Sequence, residues 1–353
     1  MEDSIEILYN REWRHRWLVI LALVLVLIIA SFFALNSGSI HLSVSDVIRA
    51  LCSSSEVSTQ TKMVVLDLRR PRILLAILTG ASLAVAGTVM QALMRNPLVS
   101  PFTLGMSSAA SFGAACAIVM SSLPLIALSV LQFQDIFIVL FAFLFGIGSI
   151  FIIYALSLRR GSTSATLILG GVVIGYIFQA GLMVLQYTSN NEKLRQITLW
   201  LMGGMWGANW SAIYIVTPIV LICIAYLLYK AWDFNALLAG DEVAQNAGVE
   251  IKKIRIRGLF FCTLASSACL AFTGIIGFIG LIGPHIGRLI IGQDNRYLIP
   301  CSALLGAVIL LISDTIGRTI IEPVEIPVGV IMYLLGGIFF MYLLMSRENQ
   351  IFT

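Results

Sequence analysis

His15, His41 and His285 are the three imidazoles of this chain, and none has a second His or a carboxylate at metal-ligand spacing. Neither H-E-x-x-H nor G-x-S-x-G occurs, so no hydrolytic zinc site or serine nucleophile is signalled. The six cysteines, Cys52, Cys116, Cys223, Cys262, Cys269 and Cys301, form no C-x-x-C and mostly sit in apolar runs, where thiols act as small buried groups. No G-x-x-x-x-G-K-[ST] phosphate loop is present, so any use of ATP needs a second chain. The remaining chemistry lies in a few polar or glycine-rich interruptions. It is the chemistry of charge pairing, helix capping and close backbone approach, which serves docking and movement rather than bond making.

The most polar interruption is "LLAGDEVAQNAGV", Leu237 to Val249. Gly240 breaks the turn after Leu238. Asp241 and Glu242 then fall in a first helical turn, where negative charge suits the dipole. Val243, Ala244 and Ala247 make a small apolar face, and Gly248 fits the C′ position that closes a helix. So short a helix is unstable alone. At this level an interfacial loop and a docking element explain it equally. "RNP" at Arg95–Pro97 ends a helix, because Pro97 disfavours helical geometry at Asn96, and Pro101 is expected to start the next. In "SLRRGSTSATL", Ser157 to Leu167, Gly161 and its neighbouring hydroxyls interrupt the apolar pattern, and Ser162 is the expected N-cap. "TGIIGFIGLIGPHIGRLIIG", Thr273 to Gly292, carries six glycines, which signal close packing or a broken, moving helix. Gly283 packs, Pro284 favours a break there, and His285 reads as a hydrogen-bonded structural residue.

Those residues must be placed by an unusual chain. Hydrophobic residues make up 59% and charged residues 11%, against roughly 25% charged in a soluble domain. Mean hydropathy is +0.97. The sequence therefore predicts an all-α polytopic membrane protein, since a membrane β-barrel needs alternating segments that are not seen. Ten spans are expected, near 17–35, 71–93, 102–122, 135–157, 164–186, 211–230, 254–276, 281–292, 298–313 and 328–346. They form one transmembrane domain over 1–353, with 1–16 as a cytoplasmic segment and no cleavable signal peptide. Placing both termini inside puts most of the 22 Lys and Arg residues inside. The cluster "RRPR" at 69–72 then lies outside, against that bias, and needs another reason to exist. Asp135 and Asp314, near span ends, are expected to be satisfied by snorkelling or by water.

Four stretches together, "LRRPR" at 68–72, "GTVMQALMRNPLVSPFTLGMSSAASFGA" at 87–114, "LLAGDEVAQNAGV" and "GFIGLIGPHIGRL" at 277–289, make the chain resemble the FecCD/BtuC-type permeases of ATP-binding-cassette (ABC) importers. The resemblance covers about 15 to 347. It implies ten helices, a second permease subunit (identical or paralogous) and a pathway between the two. It also implies two ATPase subunits holding ATP and Mg inside, and an extracytoplasmic substrate-binding protein. The chain itself is then no enzyme and binds no cofactor, metal or nucleic acid. The setting would be a bacterial or archaeal inner membrane. The cargo would be a ferric siderophore, with haem or cobalamin as alternatives; an ion-coupled carrier is the reading from another class. Arg69, Arg72 and, less closely, Arg318 match arginines that dock the binding protein. Leu238, Gly240, Asp241, Glu242, Val243, Ala244, Ala247 and Gly248 match the coupling helix that meets the ATPase. Ser162, Thr163 and Ser164 match the inner gate. Arg70 and Gln245 depart from the family pattern.

Overall fold

The computed structural model describes residues 2–38, 40, 42–52, 58–121, 134–160 and 163–345, without the side chains of 2–11 and 157–160. Regular structure among them is entirely helical. The elements are α1 (Glu2–Asn36), α2 (Val44–Leu51), α3 (Thr59–Met94), α4 (Met106–Met120), α5 (Gln134–Arg160), α6 (Ser164–Thr188) and α7 (Asn191–Met202). There follow α8 (Trp210–Tyr229), α9 (Ala231–Leu238), α10 (Asp241–Asn246), α11 (Ile251–Thr273), α12 (Ile279–Ile291), α13 (Asn295–Thr319) and α14 (Val328–Met345). Eight of these, α1, α3, α5, α6, α8, α11, α13 and α14, are long and apolar enough to cross a membrane. The shorter apolar helices α4 and α12 occupy the places of the third and eighth expected spans. α1 is helical from Glu2, so residues 2–16 run into the first long apolar stretch without a break in the helix.

The bundle is built around α3, whose apolar window is 78% buried. Its small residues let neighbours reach its backbone, the way helices associate in lipid. A Cβ on Gly80 would lie 2.2 Å from the Gly306 carbonyl oxygen of α13, and one on Gly87 only 1.8 Å from that of Gly280 in α12. After a first α-helical turn, Thr59–Lys62, the helix passes through a π-helical stretch, Met63–Arg69, and runs as α-helix from Arg70.

Three local expectations are corrected. Pro101 does not start a helix: residues 101–105 form a turn, and α4 starts at Met106. The reason is contact with α6. Gly105 takes a left-handed φ of +73°, and a Cβ there would meet Gly171 O at 2.5 Å. Pro284 does not break its helix. The break falls at 274–278, after α11 ends at Thr273, and Pro284 lies inside α12. A proline there leaves the carbonyl four residues back without its helical donor, and Gln91 Nε2 donates to that Gly280 oxygen at 3.2 Å. Gln91 Oε1 accepts in turn from Arg288 at 2.6 Å. Gln91→Leu should therefore cost about 1–3 kcal/mol by orphaning buried polar groups, measured as lowered thermal stability in detergent. Finally, Ser162 lies outside the described residues, and Thr163 caps α6 by accepting from Thr166 N at 3.2 Å.

Candidate functional site

Arg72, in the first turn of the regular α-helical part of α3, and Arg95, which closes that helix, stand about 35 Å apart at 1.5 Å per residue. Each end carries one of the charged stretches singled out by sequence, so two polar sites face away from each other across the apolar bundle.

At one end, α10 forms as its sequence suggests. Gly240 takes a φ of +125° and Asp241 opens the helix. Gly248, at φ +82°, closes it: its N–H bonds Gln245 O at 3.0 Å, and Val249 N–H bonds Ala244 O at 2.9 Å. This pair of bonds is a Schellman motif, with Val249 and Ala244 supplying its apolar contact in the core. Ala244 is fully buried and anchors the helix. The rest of the segment is bare: Glu242, Gln245, Asn246, Ala247 and Gly248 are exposed, with Val243 at 51% and Leu238, at the end of α9, at 37%. A cleft of about 240 Å³ beside it is lined by Lys230, Asp233, Gly248, Glu250 and Lys253 among others. Asp233 holds the Lys230 ammonium above the usual lysine range through a hydrogen bond.

Asp241 differs from its neighbours. Its carboxylate receives Arg255 Nη2 at 2.9 and 3.1 Å and Arg95 Nη2 at 3.2 Å. Arg255 stands near the start of α11, where a basic side chain is expected to reach the lipid headgroups. The structure buries it, and its Nε donates to Leu93 O at 3.3 Å. A signal was available: Arg255 lies on the helical face shared by Gly258, Leu259 and Cys262, all buried. Arg95 itself closes α3 in a left-handed conformation, φ 50° and ψ 43°, with Arg95 N–H to Ala92 O at 3.3 Å and Asn96 N–H to Gln91 O at 3.1 Å. That is a second Schellman motif, with arginine where glycine is usual, at a cost of roughly 1–2 kcal/mol. Asn96 Oδ1 accepts from Leu98 N–H at 2.9 Å, turning the chain through Pro97. Nearby, Asn235 ties α9 to α13. Its Nδ2 donates to Asp294 Oδ1 at 2.7 Å, and its Oδ1 accepts from Asn295 N–H at 2.8 Å. Burial works to raise the Asp294 carboxyl, but the hydrogen bonds from Arg296 and Asn235 outweigh it and hold it below the ordinary value.

At the other end the arginines are not free surface charges. Arg69 is buried and donates Nη1 to Leu35 O at 2.6 Å and Nη2 to Ile40 O at 2.5 Å. Arg72 grips Asp314 with Nε at 3.1 Å and Nη2 at 2.9 Å, and holds Glu325 with Nη1 at 2.8 Å. Arg318, also buried, reaches Asp314 at 3.2 Å and the carbonyls of Ser37 and Ala34. Asp314 is thus sequestered between two guanidiniums rather than held by water, and the nearby acid Glu325 pairs with Arg72. The exposed member of "RRPR" is Arg70, with its guanidinium 5.2 Å from the Trp210 ring centre. Arg69, Arg72, Arg318 and Glu325 line one cleft of about 320 Å³ with Met205 and Trp206.

The remaining expected residues scatter. Gly283, Pro284 and His285 are buried in α12, and His285 lies against Phe339 and Phe340. Of the expected gate, Thr163 is exposed and Ser164 half-buried at the start of α6. Among the described residues no group of three His, Cys, Asp or Glu is placed to hold a metal.

The described residues form a polytopic helical bundle with a polar site at each end, an architecture that suits a membrane transport subunit. The chain belongs to the FecCD transport family, whose model matches residues 11–346. It is 42% identical over 335 residues to a protein of Methanocaldococcus jannaschii named for an ABC transporter permease, covering 93% of this chain and 94% of that one. It is 38% identical over 331 residues to the hemin transport system permease HmuU of Yersinia pestis, covering 93% and 95%. A solved inward-facing transporter of the metal-chelate ABC type superposes with a TM-score of 0.81 at 30% identity, covering 92% of this chain and 98% of that one. The protein is a multi-pass component of the inner membrane.

Proposed function

We propose that this chain is the permease subunit of an ABC importer, moving a metal chelate inward between itself and a second permease subunit while separate ATPase chains hydrolyse ATP. The supporting names are those of its relatives: hemin, Fe(3+)-citrate and cobalamin import permeases, at 38%, 32% and 38% identity. In this reading α4 and α12 complete ten crossings and both termini lie inside. The α10 end then faces the ATPases, and the arginine end faces a substrate-binding protein. Thr163 and Ser164, with Ser162, belong to the inner gate. Ferric siderophore is the cargo we assign. Haem is the second reading, favoured by the identity to the hemin permease.

The observation that carries the proposal is the bare apolar face of α10. Val243 is large, exposed and mounted on a helix capped at its end and pinned from behind, and Leu238, also exposed, ends the preceding helix α9. They suit a groove on a partner. Val243→Asp leaves the chain's own packing alone and should weaken ATPase association at least tenfold, or ~1.4 kcal/mol, in a pull-down of the two chains. Unchanged association would remove the docking assignment.

At the arginine end, three guanidiniums share a cleft with Glu325, and the buried Asp314 pairs with two of them. We assign Arg69, Arg72 and Arg318 to shaping a surface that accepts a carboxylate of the binding protein, with Glu325 competing for Arg72. Glu325→Gln should tighten docking at low salt by up to about fivefold, the ~1 kcal/mol scale of an exposed pair, and the gain should fade at high salt. Surface plasmon resonance against salt reads this directly.

A further inference from the structure

Asp241 is where three helices meet. It is the first residue of α10; Arg95 reaches it from the end of α3, and Arg255 reaches it from α11 while also holding Leu93 O of α3. None of this is needed to display Val243, which two residues on from Asp241 lies on nearly the opposite side of α10. Arg95 is the telling member. It occupies a left-handed helix-closing position that favours glycine, so the backbone would be better served without its side chain. The side chain nevertheless reaches across to the docking helix. The same helix α3 carries, more than twenty residues earlier, the Arg72–Asp314 pair that grips α13.

We infer that Asp241, Arg95 and Arg255 are positioning residues for transport, which make the docking helix move as one body with α3 and α11 so that displacement of α10 by the ATPase reaches the arginine end. This rests on α10 being the ATPase contact. Exposed residues of α10 make that contact, and the Asp241 cluster passes it on. A coupling of this kind needs a difference in contacts between two states, and a rigid joint is what lets a push on a six-residue helix shift a helix spanning the bundle.

The test is Arg95→Gly in the complete complex of permease, ATPase and binding protein, reconstituted in vesicles. Three cargo probes are used: a ferric hydroxamate, haemin and cyanocobalamin. Glycine suits the backbone there, so the melting temperature should stay level or rise and ATPase association should be unchanged. The number of cargo molecules moved per ATP should fall at least tenfold. Arg95→Lys, which keeps the charge, should restore much of that ratio, and Asp241→Asn should reproduce the loss. A wild-type ratio in Arg95→Gly overturns the inference. So does loss of ATPase association in that variant, which would place Arg95 on the docking surface itself. Failure of the docking reading is seen separately, as normal ATPase association in Val243→Asp.

Discussion

Asp314→Ala is expected to destabilise the chain by about 3–5 kcal/mol, the cost of removing one partner from a buried ion pair. The carboxylate is 1% exposed and serves Arg72 and Arg318 together. Its loss leaves Arg318 among backbone carbonyls alone, because Glu325 is engaged by Arg72. The measurement is the unfolding midpoint of the purified subunit in detergent. The double variant Asp314→Leu plus Arg318→Met should recover a large part of the loss, since it removes both charges and leaves Arg72 with Glu325. If the single and double variants were equally unstable, the penalty would lie in packing rather than in the orphaned charge.

Gly87→Leu should be at least as damaging, by a different route. The first added carbon already falls 1.8 Å from the Gly280 carbonyl oxygen, so α12 must retreat from α3. Overpacking of this kind costs about 1–3 kcal/mol even for small additions. The retreat would also pull Gly280 O from Gln91, the bond that makes Pro284 tolerable within α12. Gly148→Ala supplies the contrast. A Cβ there meets nothing within 4 Å, so the change should be neutral or stabilising by up to ~1 kcal/mol through helix propensity. Thermal unfolding of the three proteins side by side orders them.

These residues show where sequence reading reached and where it stopped. Apolar run length located the helices well, because the bilayer dictates that length. The α10 region was legible to single residues, because Gly240, Asp241 and Gly248 each carry a local backbone signal. Pro284 and Pro101 misled, since whether a proline breaks or starts a helix is decided by what replaces its hydrogen bond or packs beside it. Gln91 and Gly171, which decide these two cases, are remote in sequence. The arginines misled for a related reason. Charge near a span end suggests exposure, yet Arg255, Asp314 and Arg318 each share a helical face with buried apolar residues. Reading charges on the face they occupy, rather than by nearness to a span end, would have paired them. No local pattern marks Arg95, whose partner is set by tertiary contact.

The central claim is that this bundle moves its cargo only when an ATPase acts through α10. The direct measurement is uptake of a ferric hydroxamate, haemin or cyanocobalamin into vesicles holding the permease, its ATPase and its binding protein. Each cargo is tested with ATP, without ATP, and with Val243→Asp in place of the natural permease. Accumulation of at least one chelate that requires ATP and is lost in Val243→Asp is the predicted result. Accumulation that proceeds without the ATPase, driven by an ion gradient alone, would contradict it.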